Sequence, residues 1–322
     1  MSDAPRILLH NAETTALAHK LHAAAPNATI FECNTYADLP QVIADCRPDI
    51  VYSVRFDGTA GFPKDALFAT GGPVWIANGG AGTDHFGTWD PSRVTVTNAA
   101  GVAADMMAEY VLGGFLHFTL DVPGLQRDKR DKKWAARTVR SLKGRTLLIV
   151  GLGHTGCAIA ARARAFGMYV IGTRARPRAM PMIDEVWPSE DLQQILPHAD
   201  FIAVSTPLTP ATRGLIGAAQ INAMKPGVIL ADVSRGGIVD QISVIRALKS
   251  GQIAGAALDV FEVEPIPENN PLWKLENLII SPHCSSVYDG WEDASFDLFL
   301  SNLARWINGG TLVNIVDPGR GY

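Results

Sequence analysis

The sequence predicts a two-domain α/β protein built on parallel, doubly wound sheets, and three observations carry that prediction. At 322 residues the chain is long for a single domain and suits about two domains of roughly 150 residues. Short apolar runs alternate with helical stretches, the rhythm of βαβ units rather than of hairpins. One such run, Thr146-Leu147-Leu148-Ile149-Val150, leads straight into Gly151-Leu152-Gly153-His154-Thr155-Gly156, a glycine spacing that opens dinucleotide-binding units.

In chain order, Arg6 to His10 reads as a strand and Thr14 to Ala25 as a helix closed by Pro26. Ile50 to Arg55 and Val74 to Ala77 read as further strands. A long helical pattern runs from about Ala103 to Leu120, ended by Pro123, and the charged segment Arg127 to Lys133 reads as solvated surface. Thr146 to Val150 has the β-branched and leucine content of a strand buried on both faces. After the glycine turn, the alanine-rich Cys157 to Phe166 reads as a helix stopped by Gly167, and Tyr169 to Gly172 as the next strand. Phe201 to Val204, Val228 to Ala231, Gly255 to Val260 and Leu278 to Ile280 continue the rhythm.

Composition narrows the function classes. The net charge of -4 supplies no basic footprint for nucleic acid or for an acidic membrane surface. Ile7-Leu8-Leu9 is far short of a signal-peptide core, and no run approaches the roughly 18 apolar residues of a membrane span. Four scattered cysteines without CxxC spacing speak against a zinc site or a disulfide framework and suit a cytoplasmic location.

The glycine turn has a chemical rationale. Gly151 permits the tight turn, Gly153 lets backbone approach a pyrophosphate, and Gly156 allows close helix–strand packing. Leu152, His154 and Thr155 complete the candidate loop, whose helix N-terminus offers N–H groups to phosphates. At the end of the second strand, NAD enzymes usually place an acid on the ribose 2′-hydroxyl. Here the segment is Thr173-Arg174-Ala175-Arg176-Pro177-Arg178. Guanidinium groups pair with a 2′-phosphate where a carboxylate would repel it. The reading is therefore NADP(H) rather than NAD(H), with Arg174 first and Arg176 second; NAD(H) stays open, since the arginines could simply face solvent. Ligands of doubly wound sheets bind beyond the carboxyl ends of the strands. Thr206, Pro207, Val233, Ser234 and Asp259 lie there as candidate cofactor residues, and Arg235, Glu264 and His283 as candidate catalytic groups.

These residues carry a family resemblance. Gly80-Ala81-Gly82-Thr83-Asp84-His85, Met107-Ala108-Glu109, the glycine turn, Pro207-Leu208-Thr209, Ser234-Arg235-Gly236-Gly237, Leu258-Asp259-Val260-Phe261 with Glu264-Pro265, and Ser281-Pro282-His283 together resemble the D-isomer-specific 2-hydroxyacid dehydrogenases, glyoxylate/hydroxypyruvate reductases among them. The resemblance covers the chain from about Pro48 onward. It implies that Arg235 binds the substrate carboxylate and polarises the 2-oxo group. His283 would donate a proton as hydride arrives from the nicotinamide, and Glu264 would hold the imidazole and favour its protonated form. Asp259 would lie near the nicotinamide end. Backbone N–H groups of Asn78-Gly79-Gly80 would hold the carboxylate, with Arg55 a further candidate for substrate charge.

The resemblance also implies the layout. Residues 1–98 and 288–322 would form a flavodoxin-like substrate domain, completed by a helix over about Trp291 to Ile307, and residues 99–287 the Rossmann-like dinucleotide domain. The active site would lie in the interdomain cleft, whose closure excludes water. A homodimer through the cofactor domain would bury the Ala103–Leu120 helix and the segment around Trp134, which would reach the partner's active site. Three positions depart from the family pattern: Asp232 stands where many relatives have Asn, Arg174 where an acid is usual, and Cys284 where a small residue follows the His. No metal is expected. The substrate expected is a small 2-oxo acid such as glyoxylate or hydroxypyruvate. Two other readings remain open: formate- or phosphite-type oxidation on the same fold, and a dinucleotide-binding regulator of co-repressor type without turnover.

Overall fold

The protein is described by a computed structural model that covers residues 4–56, 58 and 61–320. It divides into two compact units, 1–102 with 289–322, and 103–288.

The first unit is a parallel five-stranded sheet of β1 Arg6–His10, β2 Thr29–Cys33, β3 Ile50–Ser53, β4 Trp75–Asn78 and β5 Thr95–Asn98. Their spatial order, β2-β1-β3-β4-β5, is the flavodoxin order. Alternation at period two sorts each strand between two layers. Ile7 and Leu9 of β1 face one core with Tyr52 and Trp75, whereas Leu8 faces another with Val51 and Ile76. The first layer is closed by the helix Trp291–Ile307, which inserts Phe296, Phe299 and Leu303. The second is closed by the helix Leu39–Cys46 through Leu39 and Ile43. Ala99 to Val102 stay with this unit because the Ala99 N–H donates to the Gly80 carbonyl and the Val102 N–H to Ala99.

The second unit is a parallel seven-stranded sheet of β6 Thr146–Val150, β7 Tyr169–Arg174, β8 Glu185–Pro188, β9 Phe201–Val204, β10 Val228–Asp232, β11 Ile253–Leu258 and β12 Leu278–Ile280. The order β12-β11-β10-β9-β6-β7-β8 is the dinucleotide-fold order extended by a strand, and it reverses between β6 and β9. Leu147, Ile149, Phe201 and Ala231 face a layer formed by the helices Ala104–Thr119 and His154–Ala165. Leu148, Ile202 and Leu230 face the helix Gln241–Ser250 through Val244 and Leu248. Contact between the Ala104–Thr119 helix and the sheet is tight: a Cβ on Gly114 would lie 2.7 Å from the Ala257 Cβ.

The structure corrects several readings of the sequence. Pro123 does not merely end a helix; it sits in the first turn of a new one, Val122–Arg130, where its missing N–H is no loss. The charged run is thus partly the last turn of that helix, and Asp128 within it pairs with Arg137. The helix after the glycine turn begins at His154, not Cys157. β11 ends at Leu258, two residues earlier than read, which leaves Asp259 in the loop. β2, β5 and β8 were not expected. They are short and all three lie at sheet edges; β2 and β8 are largely half-buried, and β5 alternates valine with threonine and asparagine, so the apolar signal is weak.

Candidate active site

The dinucleotide features gather at the β6–β9 reversal. Gly151 has φ +103°, a conformation that L side chains disfavour, and a Cβ on it would meet Thr206 backbone at 2.9 Å. The Ser205 hydroxyl donates to the Gly151 carbonyl at 2.9 Å, tying the β6 and β9 loops together. A Cβ on Gly156 would lie 2.2 Å from that same carbonyl oxygen, so the helix starts this close to the turn only without a side chain there. A Cβ on Gly153 would meet no chain atom within 4 Å. The first-turn N–H groups of the His154–Ala165 helix lack intrahelical acceptors, and the helix dipole is positive there. This donor set fits a diphosphate. Leu152 is instead a packing residue: it is buried over Gly172, and its N–H donates to the Thr173 carbonyl at 3.0 Å. His154 is exposed, and the Thr155 hydroxyl lies 3.6 Å from Met107 Sδ.

β7 delivers the arginines. Thr173 is buried; Arg174 ends the strand half-buried, with Nη1 3.1 Å from Met180 Sδ, a weak acceptor. Arg176 and Arg178 are exposed. Burial pushes the Cys157 thiol up, against the opposing pull of Arg174 and Arg178. Arg174 and Arg178 therefore both act on the first turn of the helix. Arg178 was passed over in the sequence, where its only signal was being third in an alternating run.

The catalytic candidates stand on three consecutive loops of one sheet. Beyond β10, Val233 and Ser234 are buried and Arg235 half-buried, its Nη1 donating to the Ser234 carbonyl at 2.7 Å. A Cβ on Gly236 would lie 1.9 Å from the Phe261 carbonyl oxygen, so this loop presses on the one after β11. There the Phe261 N–H donates to Glu264 Oε1 at 2.9 Å, and Glu264 Oε2 meets His283 Nδ1 at 2.8 Å. Burial alone would raise the Glu264 acid. The His283 hydrogen bond, the Phe261 amide and the charges of His283 and Arg235 outweigh it and hold the carboxyl below its ordinary value. Glu264 is thus an ionised partner for an imidazolium.

Asp259 anchors the loop that carries His283. Its side chain is buried, and both oxygens are engaged by the loop carrying His283. Oδ1 accepts from Ser281 Oγ at 2.6 Å and the Cys284 N–H at 2.8 Å; Oδ2 accepts from the Ser285 N–H at 3.0 Å and its hydroxyl at 2.6 Å. The Asp259 carbonyl also accepts from the His283 N–H at 2.9 Å. These bonds hold His283 at φ +52°, a conformation uncommon outside glycine.

The substrate candidates of the first unit lie beyond β3 and β4. Arg55 follows β3 by two residues and is half-buried. Asn78 is buried and donates through Nδ2 to the Gly80 and Gly82 carbonyls at 2.7 and 2.9 Å, shaping the loop. The Gly79 N–H already donates to the Ser53 carbonyl at 2.9 Å, which removes it as a carboxylate donor. Gly79 serves close packing, because a Cβ there would lie 2.6 Å from Val54 and 2.7 Å from the Tyr52 hydroxyl. Gly80 keeps its N–H available among the described residues.

Known proteins agree with this architecture. A family model described as "D-isomer specific 2-hydroxyacid dehydrogenase, NAD binding domain" matches residues 112–285. A glyoxylate reductase of Korarchaeum cryptofilum is 34% identical over 253 residues, which span 75% of each chain. The crystal structure of a D-isomer specific 2-hydroxyacid dehydrogenase family protein from Aeromonas salmonicida superposes with a TM-score of 0.85 at 31% identity, covering 98% of this chain and 100% of that one. A D-isomer specific 2-hydroxyacid dehydrogenase from Xanthobacter autotrophicus, solved with NADPH and MES, gives 0.82 at 28% identity over 99% and 100%. The fold, the glycine turn and these matches together make the chain a member of the D-isomer specific 2-hydroxyacid dehydrogenase family, an NAD(P)-dependent oxidoreductase acting between 2-oxo and 2-hydroxy acids.

Proposed function

We propose that the protein reduces a small 2-oxo acid of the glyoxylate or hydroxypyruvate type to the D-2-hydroxy acid, preferring NADPH. The observation that carries this reading is the His283–Glu264 pair at 2.8 Å beside the loop of Arg235. When bound, the dinucleotide supplies the hydride. Arg235 pairs with the substrate carboxylate and draws charge from the 2-oxo group. His283, with Nδ1 turned to Glu264, presents its other ring nitrogen and passes a proton to the developing alkoxide. Glu264, held ionised, keeps the ring oriented. The related glyoxylate reductase supports the substrate class, and the NADPH-bound relative supports the cofactor.

Arg174 and Arg178 at the end of β7 supply the charge for a 2′-phosphate, with Arg176 following Arg174 in the loop. His154, Thr155, Thr206, Pro207, Val233 and Ser234 border the dinucleotide, with Leu152 packed beneath the turn. A cytoplasmic location fits the four free thiols. A homodimer through the second unit would cover the fully exposed Trp134 and the exposed Leu125 and Val139. The experiment is NADPH and NADH oxidation with a panel of 2-oxo acids, repeated for His283→Gln. The variant should bind NADPH normally but lose at least 100-fold in kcat, the usual worth of a general acid. Turnover near wild type would remove His283 as the proton donor.

A further inference from the structure

The carboxyl of Asp232, at the end of β10, takes no part in the chemistry described so far. It is 3% exposed, and its Oδ1 accepts both the Ser234 N–H, at 2.9 Å, and the Ser234 hydroxyl. That grip fixes the Ser234 peptide, whose carbonyl in turn accepts from Arg235 Nη1 at 2.7 Å. The side chain of Asp232 is thus one peptide away from the guanidinium assigned to the substrate. A neutral amide could make the same two acceptor bonds, so the bonds alone do not require an acid here.

We propose that Asp232 is a positioning residue for the 2-oxo acid, setting Arg235 through Ser234, and that its charge opposes binding of the substrate carboxylate. The inference rests on the assignment of Arg235 to that carboxylate. The groups facing Asp232 are Arg235 on its own loop, Asp259 in the loop after β11 and Tyr110 on the Ala104–Thr119 helix. The Tyr110 hydroxyl meets Ser281 Oγ at 2.7 Å, and Ser281 donates to Asp259. Among the described residues two buried acids therefore share one polar cluster with the Arg235 guanidinium, which does not neutralise both at this depth of burial. Burial, with the Asp259 charge added, pushes the Asp232 acid up to about 7, against the Ser234 bonds and Arg235. Asp232 accordingly exchanges its proton across the neutral range. Ionised, it diverts Arg235 from an incoming anion and adds a like charge; protonated, it leaves the guanidinium to the substrate.

The test compares KM for the 2-oxo acid, kcat and the NADPH Kd in wild type, Asp232→Asn, Asp232→Ala and Arg235→Gln between pH 5.5 and 8.5. Asp232→Asn keeps the acceptor oxygen and removes the charge. The wild-type to Asn ratio of KM should be near one at pH 5.5 and rise about three- to tenfold by pH 8.5, with kcat and NADPH affinity little changed. Taking this ratio removes any pH dependence that the two proteins share. Asp232→Ala loses the acceptor and should raise KM about tenfold even at pH 5.5; if it does not fold, the Asn variant still decides the matter. A wild-type to Asn ratio constant within twofold over the whole range overturns the proposal. So does an Ala variant with KM within twofold of wild type. Arg235→Gln separates the two levels: unchanged KM there means the Arg235 assignment is wrong, whereas a raised KM there with inert Asp232 variants sinks only this inference.

Discussion

Single side chains divide between those that touch the reactants and those that hold them. Glu264 is the clearest holder, since its carboxylate lies below its ordinary pKa and accepts from His283. Replacing it with Gln removes a charge that favours imidazolium. The group lost as pH rises in kcat/KM should then titrate at lower pH, and activity at pH 8 should fall at least tenfold. A profile superimposable on wild type would show that Glu264 does not tune the histidine. Arg174 is tested through the cofactor. Arg174→Ala should raise KM for NADPH about 10- to 100-fold, the worth of a charge-assisted hydrogen bond, and leave KM for NADH within about twofold. Equal losses with both cofactors would place Arg174 in packing rather than in phosphate recognition.

Elements bring such residues together, and they carry liabilities of their own. β1 ends in His10, which is fully buried, bonds through Nδ1 to Ser53 Oγ at 2.9 Å and is ringed by Tyr36, Phe56 and Phe62. Burial lowers its pKa from 6.5 to about 4, against a backbone hydrogen bond with Thr35 that raises it. The unfolded chain binds the proton more readily, so stability is complete above pH 6.5 and is lost as pH falls toward 4. The full loss amounts to about 3 kcal/mol. Urea denaturation of the wild type should show this acid slope. His10→Phe should remove it, even where the variant is less stable overall because Ser53 loses its partner. An unchanged slope in the variant would assign acid sensitivity to other groups. The helix Trp291–Ile307 shows the opposite relation: it follows the second unit in sequence yet closes the core of the first, through Phe296 and Phe299.

At the scale of the whole molecule, both units are parallel sheets, and both put their candidate residues beyond the carboxyl ends of strands, where parallel α/β sheets bind ligands. The proposed dimer belongs to this scale. Trp134 is fully exposed, and its segment is held on either side by the Lys133 N–H on the Asp128 carbonyl and by the ion pairs of Arg137 with Asp121 and Asp128. A second copy covering this surface would remove exposed apolar area from water. Sedimentation at micromolar concentration should give twice the 34.5 kDa of one chain, and Trp134→Arg with Leu125→Arg should shift it toward monomer. A wild type that sediments as a monomer rules the dimer out.

Much of this protein was legible in the sequence because its signals are local. The strand Thr146–Val150 and the glycine spacing depend on apolar runs and on backbone conformations that favour glycine, which neighbouring residues fix, whereas the helix Trp291–Ile307 was expected from the family resemblance. The chemistry at the ends of β10, β11 and β12 was readable for the same reason, since Arg235, Glu264 and His283 each follow a recognisable apolar run. The tertiary structure decided what depends on partners distant in the chain. It made Asp259 the anchor of the His283 loop, 22 to 26 residues away. It gave the Gly79 N–H to Ser53 and brought Arg178 into the field at Cys157. Hydrogen-bond partners and desolvation are set by whichever groups the sheets bring alongside, and no local pattern encodes them.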